Sequence, residues 1–121
     1  MPIEIMLVED NVMNSRLTQK VLESAGITVH LYDSAEAALE VLQKVHPQLI
    51  LLDLQLPGIS GYDFARQVRR IDGFQSTPLV AISANVREED KTKAREAGCD
   101  GFIGKPINTR TLASDIKQYL E

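Results

Sequence analysis

Apolar residues along this chain switch between two arrangements. Short, nearly unbroken runs occupy residues 3–8, 49–52, 79–82 and 102–103. Runs rich in β-branched and aliphatic residues that do not alternate with polar ones suit strands covered on both faces, where neither side meets water. A weaker run at 29–32, carrying His30 and preceded by Thr28, reads as an edge strand.

Between the runs the spacing becomes helical. Met13, Leu17, Val21 and Ala25 recur every fourth residue and form one apolar column. Ala35, Ala38, Leu39, Leu42 and Val45 make a second stripe, with Ser34 placed to cap its start. Phe64, Ala65, Val68 and Ile71 make a third after Ser60-Gly61. Residues 87–97 are mostly charged, and Asn85 and Glu88 have the spacing of a capping box before them. By default such a segment is a solvated face, and its thin stripe (Val86, Ala94, Ala97) holds it loosely, which suits a switching surface. Leu112, Ala113, Ile116 and Leu120 form the last stripe after Asn108-Thr109, while Gly26 and Gly98 fall where helices should stop. The pattern is therefore β-α repeated five times with short connections. Right-handed crossovers turn this into a parallel sheet with helices on both faces. Two doubly wound strand orders are common for such a sheet, and periodicity does not choose between them.

With 121 residues there is room for one domain with a real core, expected to span 1–121. The formal net charge of −4, and aromatics that do not interleave with a basic stripe, argue against nucleic-acid binding or an anionic membrane surface. No apolar run approaches the ~20 residues of a membrane span. The start Met1-Pro2-Ile3-Glu4 lacks the basic-then-apolar layout of a signal peptide. The single cysteine, Cys99, cannot form an internal disulfide and points to a reducing cytoplasm; it reads as a small, partly buried residue.

In such sheets the reactive crevice lies at the carboxyl ends of the strands. The first run ends in Glu9-Asp10-Asn11, the third in Asp53, the fourth in Ser83-Ala84 and the fifth in Gly104-Lys105-Pro106. Each alone is an ordinary loop residue. Together they bring three carboxylates, a hydroxyl and an ammonium to one edge. Packed carboxylates repel unless a cation neutralises them. Hard oxygen donors with room for water suit Mg²⁺. Lysine can neutralise a transferring phosphoryl group, a serine hydroxyl can donate to its oxygens, and a carboxylate can itself be the nucleophile. The set fits phosphoryl transfer better than glycoside or peptide hydrolysis, which would leave the Lys and Ser without a role.

At these residues the chain resembles the receiver domains of two-component response regulators, the CheY-like superfamily. The motifs are Val8-Glu9-Asp10-Asn11, Leu51-Leu52-Asp53 with Leu56-Pro57-Gly58 and Gly61, Ile82-Ser83-Ala84, and Lys105-Pro106. The Glu-Asp-Asn start and the Lys-Pro-Ile ending are similar to stand-alone regulators of the DivK type and to receivers attached to hybrid histidine kinases. By analogy with chemotaxis receivers, the flavodoxin-like order 2-1-3-4-5 with five helices is expected. The resemblance implies that Asp53 accepts phosphate from a histidine kinase or histidine phosphotransfer protein. It implies that Asp10, Asp53 and the backbone carbonyl of Gln55 ligate Mg²⁺, with Glu9 acting through a water. Lys105 would pair with the phosphoryl group, and the Lys105-Pro106 bond would be cis. Ser83 would swing toward the phosphoryl oxygen and Phe102 would follow, changing the surface of the fourth helix, fifth strand and fifth helix. Gln55 and Asn85 stand where family side chains tune hydrolysis of the phosphoaspartate.

The chain ends soon after the fifth helix, so output is expected to pass through a downstream protein target. A runner-up reading is an enzyme, a Mg²⁺-dependent phosphohydrolase with an aspartyl nucleophile. Such enzymes usually carry a second Asp two residues on, where this chain has Gln55, and need a cap that it has no residues to build. A flavodoxin-like FMN binder would need a Ser/Thr-rich first loop and flanking aromatics. A P-loop fails because Cys99 stands where its first Gly belongs and Pro106 replaces the Ser/Thr. His30 and His46 are isolated and read as surface or edge residues.

Overall fold

The strands are β1 (Ile3–Val8), β2 (Ile27–Tyr32), β3 (Leu49–Asp53), β4 (Leu79–Ser83) and β5 (Gly101–Gly104). The helices are α1 (Val12–Ser24), α2 (Ala35–Val45), α3 (Gly61–Arg70), α4 (Glu88–Ala97) and α5 (Leu112–Gln118). They come from a computed structural model that describes residues 3–120. Met1, Pro2 and Glu121, the ends of the expected 1–121 unit, lie outside the described residues. The strands form one parallel sheet in the order β2-β1-β3-β4-β5, the expected flavodoxin-like arrangement.

The central strands are apolar throughout because their side chains alternate between two covered faces. Met6, Val8, Ile50, Leu52 and Ala81 pack with residues of α2, α3 and α4, including Leu42, Phe64 and Ala94. Ile5, Leu7, Leu49, Leu51, Val80 and Ile82 pack on the other face with Leu22 of α1 and Leu112 and Ile116 of α5. Every residue of β3 and β4 is buried. Each fully buried aliphatic side chain contributes about 1.5–3 kcal/mol, so the strand ends that carry the site stand on the most stable part of the fold. β5 is the far edge and only half-buried, so its short apolar run at 102–103 reflects an edge position rather than a strand covered on both faces.

Three helices also depart from the sequence expectation. In α1 the buried stripe is Ser15, Thr18 and Leu22, while Met13 is 83% and Leu17 50% exposed. The small Ser15 and Thr18 let the helix lie close on the sheet, Ser15 Oγ donating to Val12 O at 3.1 Å, and this turns the first half of the apolar column to solvent. The start of α4 is not an Asn85–Glu88 box. The N-cap is Arg87, whose backbone N–H donates to Asp90 Oδ2 at 3.2 Å, and Glu88, Glu89 and Asp90 fill a first turn that the helix dipole favours. α5 starts at Leu112, because Asn108 first closes a turn: its Oδ1 accepts from Arg110 N–H and its carbonyl from Thr111 and Leu112.

Other ends follow the sequence. Ser34 and Ser60 cap α2 and α3 by accepting from the Ala37 and Asp63 amides. Gly98 stops α4 at φ +112, and Arg69 closes over that end, donating to Gly98 O at 2.8 and 3.0 Å and to Asp100 Oδ2 at 2.9 Å.

Candidate functional site

Four parallel strands deliver their last residues to one edge, and backbone pairing carries on just past them. Glu9 N–H donates to Tyr32 O, Leu54 N–H to Ile82 O and Lys105 N–H to Ser83 O, at 3.0, 3.0 and 2.8 Å. These bonds fix where the side chains of Glu9, Asp53 and Lys105 emerge. Gly61, at the start of α3, lies against the same strand end. A Cβ there would stand 2.6 Å from both Asp53 O and Leu54 Cα and 2.8 Å from Leu52 Cδ1. Only a residue without a side chain lets α3 approach so closely. Gly61→Ala is expected to cost about 1–3 kcal/mol through overpacking. Denaturant midpoints measured with unchanged m-value would check this.

Glu9, Asp10 and Asp53 bring carboxylate oxygens within 4.8 Å of one another. Glu9 and Asp53 are 6% and 3% exposed, while Asp10 is open to solvent. Lys105 Nζ donates to Asp53 Oδ2 at 2.8 Å and to Glu9 Oε1 at 3.2 Å, and Asp53 Oδ1 accepts from Gln55 N–H at 2.9 Å. The Lys105-Pro106 bond that sets off this lysine is cis.

Burial pushes the Glu9 carboxyl up to about 7, helped by its hydrogen bond to Asp53 and by the Asp53 charge, against the opposing pull of Lys105. Burial also acts to raise Asp53. It is outweighed by hydrogen bonds from Glu9, Lys105 and the Gln55 amide and by the Lys105 charge, so Asp53 lies below the usual carboxylate value. Burial acts to lower Lys105, but the hydrogen bond to Asp53 and the charges of Asp53 and Glu9 hold it above its ordinary value. Below about pH 7 the proton held by the acid pair thus sits on Glu9, while Asp53 is an ionised, buried carboxylate beside an ammonium.

The acid cluster has the chemistry of a metal site. Its donors are all hard oxygens, and once Glu9 is ionised its Oε2 is buried with no hydrogen-bond partner. A buried orphan oxygen is costly, and a hard cation close by would satisfy it. Among the described residues, Glu9, Asp10 and Asp53 could hold such an ion.

Ser83 and Asn85 are tied to this centre through Gln55. Ser83 is fully buried at the end of β4, and its Oγ accepts from Gln55 Nε2 at 2.8 Å and from Asn85 N–H at 3.0 Å. Phe102, on β5 opposite Ala81, is half-buried against the core on the α2–α4 side. Cys99 lies away from the crevice, and burial pushes its thiol up to about 11, which keeps it protonated and unreactive. His30 is partly exposed and pairs with Glu4 Oε1 at 3.0 Å on the sheet edge, and His46 closes α2 in the left-handed conformation. Neither histidine belongs to the crevice.

One feature of this edge escaped the sequence reading. Val12, Met13 and Leu17 leave an exposed apolar patch on α1. Beside it lies a cavity of about 390 Å³ lined by Asn14, Leu17, Ala84, Lys105, Pro106 and Ile107. The apolar column in the sequence signalled it, but only the Ser15–Thr18–Leu22 stripe says that this column faces out.

The sequence profile of the response regulator receiver domain matches residues 5–117. A polar-differentiation response regulator, DivK, of Brucella ovis is 33% identical over 116 residues, covering 96% of this chain and 94% of the relative. A chemotaxis response regulator of Vibrio cholerae superposes with a TM-score of 0.94 at 24% identity, covering 99% of this chain and 100% of the other, and bears on the fold alone. A response regulator crystallised in a Mn²⁺-bound form has a TM-score of 0.84 at 26% identity, covering 99% of this chain and 96% of its own.

Proposed function

This chain belongs to the response regulator receiver domain family of two-component signalling, and on that footing we propose that Asp53 accepts a phosphoryl group from a phosphohistidine on a partner protein. The observation that carries this reading is an ionised, buried Asp53 at the end of the central strand, held between Lys105 and the Glu9–Asp10 pair. One Asp53 oxygen attacks phosphorus, the new O–P bond forms as the N–P bond to the donor imidazole breaks, and the bonding pair leaves with that nitrogen. Lys105 is already aimed at Asp53 Oδ2 and balances the charge arriving on the phosphoryl oxygens.

Asp10, Asp53 and the Gln55 carbonyl would hold Mg²⁺, with Glu9 acting through a water. When bound, Mg²⁺ supplies the positive charge that draws phosphoryl oxygens toward the carboxylates. The Mn²⁺-bound neighbour and the orphan Glu9 oxygen support a divalent cation at this edge. Ser83 then turns to the phosphoryl oxygen, Phe102 follows, and the surface of α4, β5 and α5 changes for a downstream protein target. Asn85 and Gln55 tune how long the phosphoaspartate survives. The role is that of a switch rather than an enzyme, since Gln55 occupies the place of a phosphohydrolase's general acid.

The donor has a place to rest. An apolar surface continuous with the crevice, from Met13 and Leu17 to Pro106 and Ile107, fits a helix that presents its phosphohistidine toward Asp53. Met13→Glu and Leu17→Glu are expected to slow transfer from a phosphorylated histidine phosphotransfer protein at least tenfold, while acetyl phosphate labels both at the wild-type rate. Single-turnover transfer assays separate the two donors. Equal transfer from the protein donor in wild type and both variants would show that it docks elsewhere.

A further inference from the structure

Ser83 Oγ has two lone pairs, and both are in use: one accepts from the Gln55 side-chain amide at 2.8 Å, the other from Asn85 N–H at 3.0 Å. The Asn85 contact is local and would form in many sequences. The Gln55 contact is not, because it links residues 28 apart across the ends of β3 and β4. The backbone of Gln55 also holds Asp53 Oδ1 at 2.9 Å, so one residue grips both the candidate phosphoacceptor and the buried hydroxyl beside it. Gln55 is itself exposed, so packing does not force its side chain into this geometry.

We propose that Gln55 is a positioning residue, its side-chain amide acting as a latch that holds the Ser83 hydroxyl in its unphosphorylated position. The proposal deepens the switch reading above and rests on it for its consequence. An interaction made in one of two states and lost in the other favours the first by its own strength. For Ser83 to move to a phosphoryl oxygen it must leave the Gln55 amide, so the latch opposes spontaneous switching. Its release frees Nε2–H donors at the mouth of the crevice. A single neutral hydrogen bond shifts such an equilibrium roughly twofold to tenfold.

The experiment needs no phosphoryl group. Gln55→Met keeps the length of the side chain and removes the donor; Gln55→Leu also removes it and offers the Ser83 hydroxyl no acceptor in its place. Ser83 χ1 populations are read from side-chain scalar couplings in the metal-free, unphosphorylated protein. Wild type is expected to hold one rotamer, with the minor rotamer rising roughly twofold to tenfold in both variants. The Phe102 ring resonances should move with it, at unchanged denaturant midpoint. An unchanged Ser83 rotamer in both variants would overturn the latch. Acetyl phosphate labelling of the same samples is scored separately: unlabelled wild type contradicts the phosphoacceptor reading and leaves the rotamer result standing.

Discussion

Metal-free protein is expected to lose stability as pH rises from about 5 to about 8, and Glu9→Gln is expected to remove most of that loss. The Glu9 carboxyl is held at about 7 in the folded chain, against 4.5 as its ordinary value. Between these values the folded state binds a proton that the unfolded state has released. Stability is therefore fully present below the unfolded value and falls as pH climbs through the folded one. The difference corresponds to about 3 kcal/mol when complete. Asp53 is shifted the other way, so its contribution is lost only at acid pH, and the raised Lys105 titrates far into the alkaline range. Comparing wild type with Glu9→Gln by urea unfolding across this range, in chelator, isolates the one group. The variant should be the more stable at about pH 8. Curves that run parallel throughout would mean that Glu9 carries no proton near neutrality. Added Mg²⁺ should restore wild-type stability at high pH, since an ion that binds only the native site stabilises it by mass action.

The sequence exposed the sheet because strands covered on both faces have no polar positions to disguise them: residues 49–52 and 79–82 became β3 and β4 with every side chain buried. The strand order came by analogy, since nothing in the periodicity distinguishes neighbours. The helix reading was weakest where chemistry and burial part company. Ser15 and Thr18 look like surface residues yet face the sheet, because their small side chains allow close packing and the Ser15 hydroxyl is satisfied locally by Val12 O. Met13 and Leu17 look like core and face solvent. Periodicity gives a face but not its direction. The cap of α4 was misread for a related reason: Asn85 is a good cap by type, but its backbone is already engaged with Ser83 Oγ, and the acids of the first turn take over the start of the helix.

The crevice was legible because it needs residues of one kind at one place in each β-α unit. Glu9, Asp10, Asp53 and Lys105 come together as the strand ends require. The Gln55–Ser83 bond was not legible, because it depends on a side-chain rotamer reaching across a loop and no spacing rule encodes it. The proton on Glu9 was equally hidden. It follows from burial and from which oxygen Lys105 favours, 2.8 Å to Asp53 against 3.2 Å to Glu9.

Replacing Asp53 with Asn is expected to abolish phosphorylation while leaving the chain folded. The amide keeps the shape of the carboxyl, and its oxygen can still accept from Lys105 Nζ or the Gln55 amide, the two donors that hold Asp53 now. It also relieves the crowding of three carboxylates within 4.8 Å, so the fold loses little. What disappears is the anionic nucleophile, for which a carboxamide is no substitute. Glu9 is a poor understudy, since its carboxyl is held at about 7 and stays partly protonated near neutral pH. Asp10 lies in the open, away from the grip of Lys105. The deciding measurement is the intact mass of wild type and Asp53→Asn after incubation with acetyl phosphate and Mg²⁺. The account predicts one added phosphoryl group on the wild type and none on the variant; undiminished labelling of Asp53→Asn would contradict it.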